Sequence, residues 1–362
     1  MVIVMAPTAT DADTAAVVTR VQQIGGEAFV SHGESRTIVG LIGDAEQFED
    51  LNIPGMSGVD HSVRVSTPFK LVAREHHPNR STVWVGKPGR RVPIGPRTFT
   101  MIAGPCAVET HQQTLEAAEM AQRLGATMLR GGAYKPRTSP YAFQGLGRSG
   151  LEILADVSER TGLPVVTEVV RPADVEDVVE HADMLQVGTR NMANFSLLQE
   201  VGHAGKPVML KRGMSATIEE WIMAAEYIAQ RGNLEVVLCE RGIRTFETAT
   251  RNTLDVSAIP VAQGLSHLPI IVDPSHSGGH RQLVEPLSTA AIAAGADGLI
   301  IDVHPDPASA LCDGPQALTS DDLDHLSVSV RRVREAMLRV PAEAEGGTGS
   351  DPRAEQASLG HA

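Results

Sequence analysis

Three cysteines in 362 residues, Cys106, Cys239 and Cys312, are too few and of the wrong parity for a disulfide framework. That scarcity sets aside the stapled secreted class and fits a reducing cytoplasm, the expected location. Aromatic residues make up only 3% of the chain, so the core has to be aliphatic. No stretch approaches the ~18 apolar residues of a membrane span. The opening MVIVMAPTATDAD has no basic region and only a short apolar run, so neither a signal peptide nor a membrane partner is expected. Positive charge is in deficit as well: 31 Lys and Arg against 44 Asp and Glu leave a net charge of -13, which argues against nucleic acid as a partner. Any site for anions must therefore be a local concentration of Arg and Lys. No P-loop is present.

What the chain does have is a long alternation of apolar runs and helix-like stretches. Strands are expected at Phe99–Ala103, Thr127–Arg130, Val165–Glu168, Met184–Val187, Val208–Lys211, Val236–Cys239, Ile270–Val272 and Leu299–Val303. These runs are nearly continuous in apolar residues, as parallel strands buried on both faces should be. Helical patterns separate most of them, among them Gln112–Leu124, Leu151–Arg160, Ile218–Gln230 and Pro286–Ala293, with a last helix at Leu323–Leu338. Eight β/α units in about 240 residues predict an α/β fold, a (β/α)8 TIM barrel, over residues 98–340.

Residues 1–66 read as a separate, smaller α+β unit. Strands are expected at Val2–Met5, Ala28–Ser31, Thr37–Ile42 and Val59–Val65, with helices at Thr10–Ile24 and Asp44–Leu51. The first helix should present Ala15, Val18, Val21 and Ile24 on one face. The order βαββαβ predicts a ferredoxin-like domain. Residues 67–97, with HHPNRS and GKPGRRVPIGP, read as a linker whose extended piece at Thr82–Val85 pairs as a hairpin over the barrel bottom. Beyond residue 341 the Gly-, Ala-, Glu- and Ser-rich composition predicts a disordered tail.

The ends of the barrel strands carry chemistry. Cys106 follows the first in AGPC, His276 follows the seventh in DPSH, Asp302 ends the eighth, and Asp313 lies in the loop beyond. A thiolate, an imidazole and two carboxylates suit one divalent ion such as Mn, Fe, Co or Zn, and are too soft a set for Mg alone. Arg130, Lys135, Arg190, Lys211 and Arg241 also fall at or just after strand ends. Five converging cations exceed what Glu168 and the two aspartates of the metal set can neutralise, so the missing partners are expected to be substrate anions. The loop KPRTSPYAFQGLG adds Arg137, Thr138 and Ser139, a second phosphate cradle. Cys239 reads as core.

Taken in order, IAGPCAVE, LRGGAYKPRTSPYAFQGLG, VGTRN, LKRG, CERGIRTFE, VDPSHSGG and DVHPDPASALCDGPQAL resemble 3-deoxy-D-arabino-heptulosonate 7-phosphate (DAHP) synthases of the type I beta subgroup. The resemblance implies condensation of phosphoenolpyruvate with erythrose 4-phosphate and water, the first step of the shikimate pathway. It implies that Cys106, His276, Asp302 and Asp313 bind the metal. It places phosphoenolpyruvate on Arg130, Lys135, Arg190, Lys211 and Arg241, with Asp273 beside them, and erythrose phosphate on Arg137, Thr138 and Ser139. Lys135 is the expected proton donor, and Glu168 the expected handler of the attacking water. An aromatic amino acid effector at the N-terminal domain, a homo-oligomer and a chorismate mutase partner are further implications.

Two departures stand out. The family usually has Glu where this chain has Asp302, and Phe29 occupies a position where relatives place a polar effector contact. Rival readings are a 3-deoxy-octulosonate 8-phosphate synthase using arabinose 5-phosphate, a Schiff-base aldolase using Lys135 or Lys211, and an inactive sensor barrel. Pro136, where the first rival typically has Asn, and the full cation set favour the DAHP synthase reading.

Overall fold

The computed structural model describes residues 1–33, 36–42, 48, 51–63 and 68–338. At its N-terminus four antiparallel strands, β1 (Val2–Met5), β2 (Glu27–His32), β3 (Thr37–Ile42) and β4 (Val59–Val63), stand in the order β2-β3-β1-β4. This is the ferredoxin-like arrangement expected. Helix α1 (Asp11–Gln22) starts at a capping box in which Thr10 and Asp13 satisfy each other's backbone N–H groups. Its buried face is Thr14, Val17 and Val21; of the expected set Val21 is buried and Val18 packs against the same core, whereas Ala15 and Ile24 are exposed. Adjacent valines at 17 and 18 left the face ambiguous by one residue. Thr14 reaches the inside because its hydroxyl donates to the Thr10 carbonyl at 3.3 Å. Most of the expected second helix, Asp44–Leu51, lies outside the described residues, as do residues 64–67 and 339–362.

A short hairpin, β5 (Val83–Val85) with β6 (Val92–Ile94), precedes the main body. Eight parallel strands then close into a barrel: β7 (Thr100–Gly104), β8 (Met128–Arg130), β9 (Val165–Val169), β10 (Met184–Val187), β11 (Val208–Lys211), β12 (Val236–Glu240), β13 (Ile270–Val272) and β14 (Gly298–Asp302). All eight are the expected runs, three with the expected bounds and five differing by one residue at one end or both. The last helix, Ser320–Leu338, begins three residues earlier than expected.

The barrel interior is built in layers by the period of two along each strand. One inward residue per strand, Ile102, Met128, Val166, Met184, Met209, Val237, Ile271 and Ile300, forms an apolar layer, and Val83, Val85 and Ile94 of the hairpin seal it from below. Two residues further on, the same faces carry Gly104, Arg130, Glu168, Gln186, Lys211, Cys239, Asp273 and Asp302. A dry floor is thus followed directly by a charged layer. Cys239 is fully buried against the floor, as core. Gly104 is required where it stands: an added Cβ would lie 2.0 Å from the Arg130 carbonyl oxygen of the neighbouring strand.

The stretch read as a linker is fastened to the barrel underside. Leu71, Val72 and Ala73 are buried, Ala73 bridges to Ser266, and Arg80 pairs with the buried Asp297. His267 donates through Nε2 to the Leu71 carbonyl at 3.1 Å, accepts from the Ser81 hydroxyl at 2.7 Å, and lies against the His77 ring with centroids 3.9 Å apart. Burial, reinforced by the facing His77 and Arg74, pushes His267 down to about 3. Burial also pushes His76 down to about 4, with the chain N-terminus, His61 and Lys70 facing it, and His77 down to about 4. These rings are neutral in the fold, whereas unfolded histidine takes up a proton below about 6.5. Their stabilisation is complete above that value and is lost as pH falls toward 4. For His267 alone the loss by pH 5 is about 2 kcal/mol. Urea midpoints should therefore drop between pH 7.5 and 5, and drop less in His267→Gln. Equal pH slopes in the two proteins would remove the histidine explanation.

Candidate active site

The charged layer opens into a cavity of about 480 Å³ at the C-terminal ends of the strands. Eight cations line it, Arg130, Lys135, Arg137, Arg190, Lys211, Arg241, Arg244 and Arg251, against two carboxylates, Glu168 and Asp313. A lining excess of six positive charges in a chain of net charge -13 is a seat for anions.

The deepest cations are fixed by short buried links. Arg130 pairs with Asp302 and donates to the Cys106 carbonyl at 3.4 Å. Lys211 pairs with Asp273. Arg241 donates to the His276 carbonyl at 3.0 Å and to the Gly242 carbonyl at 3.2 Å. Lys135 donates to the Cys106 carbonyl at 2.8 Å and to its Sγ at 3.1 Å. Arg190 donates to the Thr138 hydroxyl at 3.2 Å, tying the deep set to the outer KPRTS loop, where Thr138 and Ser139 are exposed. Glu168 faces these cations, and burial pushes its carboxyl up despite Lys135 and Lys211. Gly188 makes room for it: a Cβ there would lie 1.8 Å from Glu168 Oε1.

Beside the cations three donor atoms converge. Cys106 Sγ is 3.0 Å from Asp313 Oδ2 and 3.7 Å from His276 Nε2, and Nε2 is 3.9 Å from Asp313 Oδ2. Ligands held about 2.0–2.3 Å from one ion stand about 3–4 Å from each other, so the trio fits a divalent metal. His276 is prepared for that role. Its Nδ1 faces Asp273 Oδ2 at 2.9 Å, which leaves Nε2 directed at the trio, and burial lowers the ring below its usual value. Asp313 stays ionised: against its burial, His276, the Cys106 thiol and Arg251 hold it well below the carboxylate range. Cys312 packs against Cys106, and both thiols are free.

Two expected site residues are placed differently. Asp273 is fully buried and is not among the residues lining the cavity; its carboxylate pairs with Lys211 and His276. Asp302, expected with the metal ligands, stands outside the converging trio. Its Oδ1 pairs with Arg130 and its Oδ2 accepts from Gln316 at 2.6 Å. Arg244, Arg251, Gln186 and Gln316 were not singled out by the sequence. Arg244 and Arg251 sit in the motif after β12, where three arginines within eleven residues were the available signal. His304 accepts the Asp306 N–H at 3.1 Å and faces Glu109 at 3.6 Å, a brace for the loop after β14.

Comparison with known proteins places this geometry. Residues 81–339 match the DAHP synthetase I family, and residues 1–67 match the DAHP synthase ferredoxin-like domain. A phospho-2-dehydro-3-deoxyheptonate aldolase of Thermotoga maritima is 48% identical over 342 residues, which cover 93% of this chain and 98% of that protein. Its crystal structure superimposes with a TM-score of 0.73, covering 93% of this chain and 97% of that one. A 2-dehydro-3-deoxyphosphooctonate aldolase of Syntrophotalea carbinolica is 34% identical over 274 residues, 71% of this chain and 95% of that protein. With both the barrel and the N-terminal domain matched, the chain belongs to the DAHP synthetase I family.

Proposed function

We propose that the chain condenses phosphoenolpyruvate with erythrose 4-phosphate and water, giving 3-deoxy-D-arabino-heptulosonate 7-phosphate and inorganic phosphate. The observation that carries this reading is one cavity in which eight cations face two carboxylates beside a Cys–His–Asp trio. Two phosphorylated substrates and one metal account for that excess. The 48% identity to the Thermotoga enzyme and Pro136 in the KPRTS loop support erythrose 4-phosphate over arabinose 5-phosphate.

Arg130, Lys135, Lys211 and Arg241 hold phosphoenolpyruvate, its carboxylate and phosphate replacing water around cations that lack enough protein anions. Arg137, Thr138 and Ser139 take the aldose phosphate, and Arg190 joins the two seats through Thr138. Holding both reactants in this way aligns C3 of phosphoenolpyruvate with the aldehyde carbon. The new C–C bond leaves C2 electron-poor, water adds there, and phosphate departs by C–O cleavage. Cys106, His276 and Asp313 would hold a divalent ion, which would supply Lewis-acid polarisation. Lys135 supplies the proton to the developing alkoxide: although burial works against its charge, the Cys106 and Cys312 sulfurs hold the ammonium above its ordinary value. Glu168, its carboxyl raised by burial, takes the proton of the attacking water.

Regulation fits the N-terminal domain. A second cavity of about 210 Å³ lies between its sheet and the helix Ile218–Ala229, lined by Phe29, Ile42, Lys70, Glu226 and Tyr227. Its mixed apolar and charged wall suits an aromatic amino acid.

The reaction is tested by phosphoenolpyruvate consumption on EDTA-stripped protein with and without Mn²⁺. Stripping should lower the rate on the order of 100-fold or more, and metal should restore it. Arabinose 5-phosphate should give kcat/KM at least about tenfold below erythrose 4-phosphate. Inactivity with erythrose 4-phosphate under every divalent ion tried would reject the proposal.

A further inference from the structure

The metal trio and Asp302 stand on different sides of the same imidazole. Nε2 of His276 faces Cys106 and Asp313, whereas Asp302 Oδ2 approaches Nδ1, at 3.7 Å. An ion on Nε2 therefore sits away from Asp302. Asp302 is completely buried; its Oδ1 forms an ion pair with Arg130 without accepting a hydrogen bond, and its Oδ2 accepts from Gln316. Its backbone is held too, the N–H donating to the Ser275 hydroxyl at 3.0 Å. The donor atoms that converge within reach of one ion are those of Cys106, His276 and Asp313, and the Asp302 carboxylate stands outside them.

We infer that this chain holds its metal with three protein ligands, Cys106, His276 and Asp313, and that Asp302 is a positioning residue. The inference rests on the metal-assisted reading above. Asp302 aims Arg130 at the substrate anion and orients Gln316. The Gln316 carbonyl accepts from Arg251 at 2.8 Å, and Arg251 donates to Asp313 Oδ1 at 2.9 Å. One chain of contacts thus runs from the deepest substrate cation to a metal ligand, Arg130–Asp302–Gln316–Arg251–Asp313. Three protein ligands leave coordination positions for water or substrate oxygen, as an open catalytic site requires.

The test reads metal binding apart from turnover, so it stands whether or not the assigned reaction is correct. Metal-stripped wild type, Asp302→Asn, Asp302→Glu and Asp313→Asn, each checked for folding by circular dichroism, are titrated with Zn²⁺ against a fluorescent chelator. Their Co²⁺ forms are compared by absorption. Asp313→Asn should weaken binding about 100-fold and alter the Co²⁺ spectrum; Asp302→Asn should shift Kd by less than about tenfold with the spectrum unchanged. Asp302→Asn should instead raise the KM for phosphoenolpyruvate more than it lowers kcat, through Arg130. Asp302→Glu, one methylene longer, should tighten binding and change the spectrum. A spectrum and Kd in Asp302→Asn that move with those of Asp313→Asn would overturn the three-ligand assignment. So would an Asp302→Glu protein indistinguishable from wild type in both readouts.

Discussion

Replacing Lys135 by methionine should lower kcat about 1000-fold, within the range that loss of a positioned proton donor produces. The ammonium stands within hydrogen-bonding distance of the Cys106 carbonyl and sulfur and lines the cavity, so it faces metal ligand and substrate together. Methionine keeps the length and removes charge and proton. Arginine at the same place keeps the charge but is a far poorer proton donor, since its guanidinium does not deprotonate in proteins. Lys135→Arg should accordingly recover the KM for phosphoenolpyruvate while leaving kcat low. A Lys135→Met enzyme within about tenfold of wild-type kcat would assign the proton transfer to another group.

Glu226→Ala should destabilise the protein by about 3 kcal/mol or more. Glu226, on the helix Ile218–Ala229, accepts three backbone N–H groups from the fastened stretch: Lys70 and Leu71 at 2.9 Å on Oε1, and Val72 at 3.0 Å on Oε2. Burial raises its carboxyl, and those three donors oppose the rise. Lys70 in turn reaches the Leu41 carbonyl at the end of the N-terminal sheet. One carboxylate therefore ties barrel, connecting segment and N-terminal domain together. Alanine leaves three donors without a protein partner, and each costs roughly 1–3 kcal/mol if water cannot replace the carboxylate. Urea unfolding gives the stability, and amide exchange at 70–72 should rise far more than in the barrel strands. Unchanged exchange there would show that the segment is held without Glu226. Glu226→Gln, retaining one acceptor oxygen, should fall between the two.

Much of this site was legible because parallel barrel strands obey simple rules. Each apolar run had to be a strand buried on both faces, and charged residues at or just after its end had to emerge near the mouth. Arg130, Glu168, Lys211 and Arg241 were found in that way, and the structure puts all four around one cavity. Partner choice was less legible. Asp273 and Asp302 carry the same side chain at equivalent strand ends. Whether such a carboxylate meets a cation, an imidazole or a ligand depends on angles set across the barrel, which adjacency in sequence does not encode. Arg251 illustrates the same limit: it reaches Asp313 from 62 residues away, out of a loop with no regular period. The face of α1 failed for a different reason, two neighbouring valines offering two helical stripes of nearly equal hydrophobicity.

The sealed floor has a kinetic consequence. With Val83, Val85 and Ile94 packed beneath the apolar layer, the described barrel offers no rear exit, and everything that reacts passes through the doorway at its top. Arg130, Lys211 and Arg241 share that mouth with the loop bearing Arg137, Thr138 and Ser139, so a molecule held at the loop narrows the way to the buried cations beneath it.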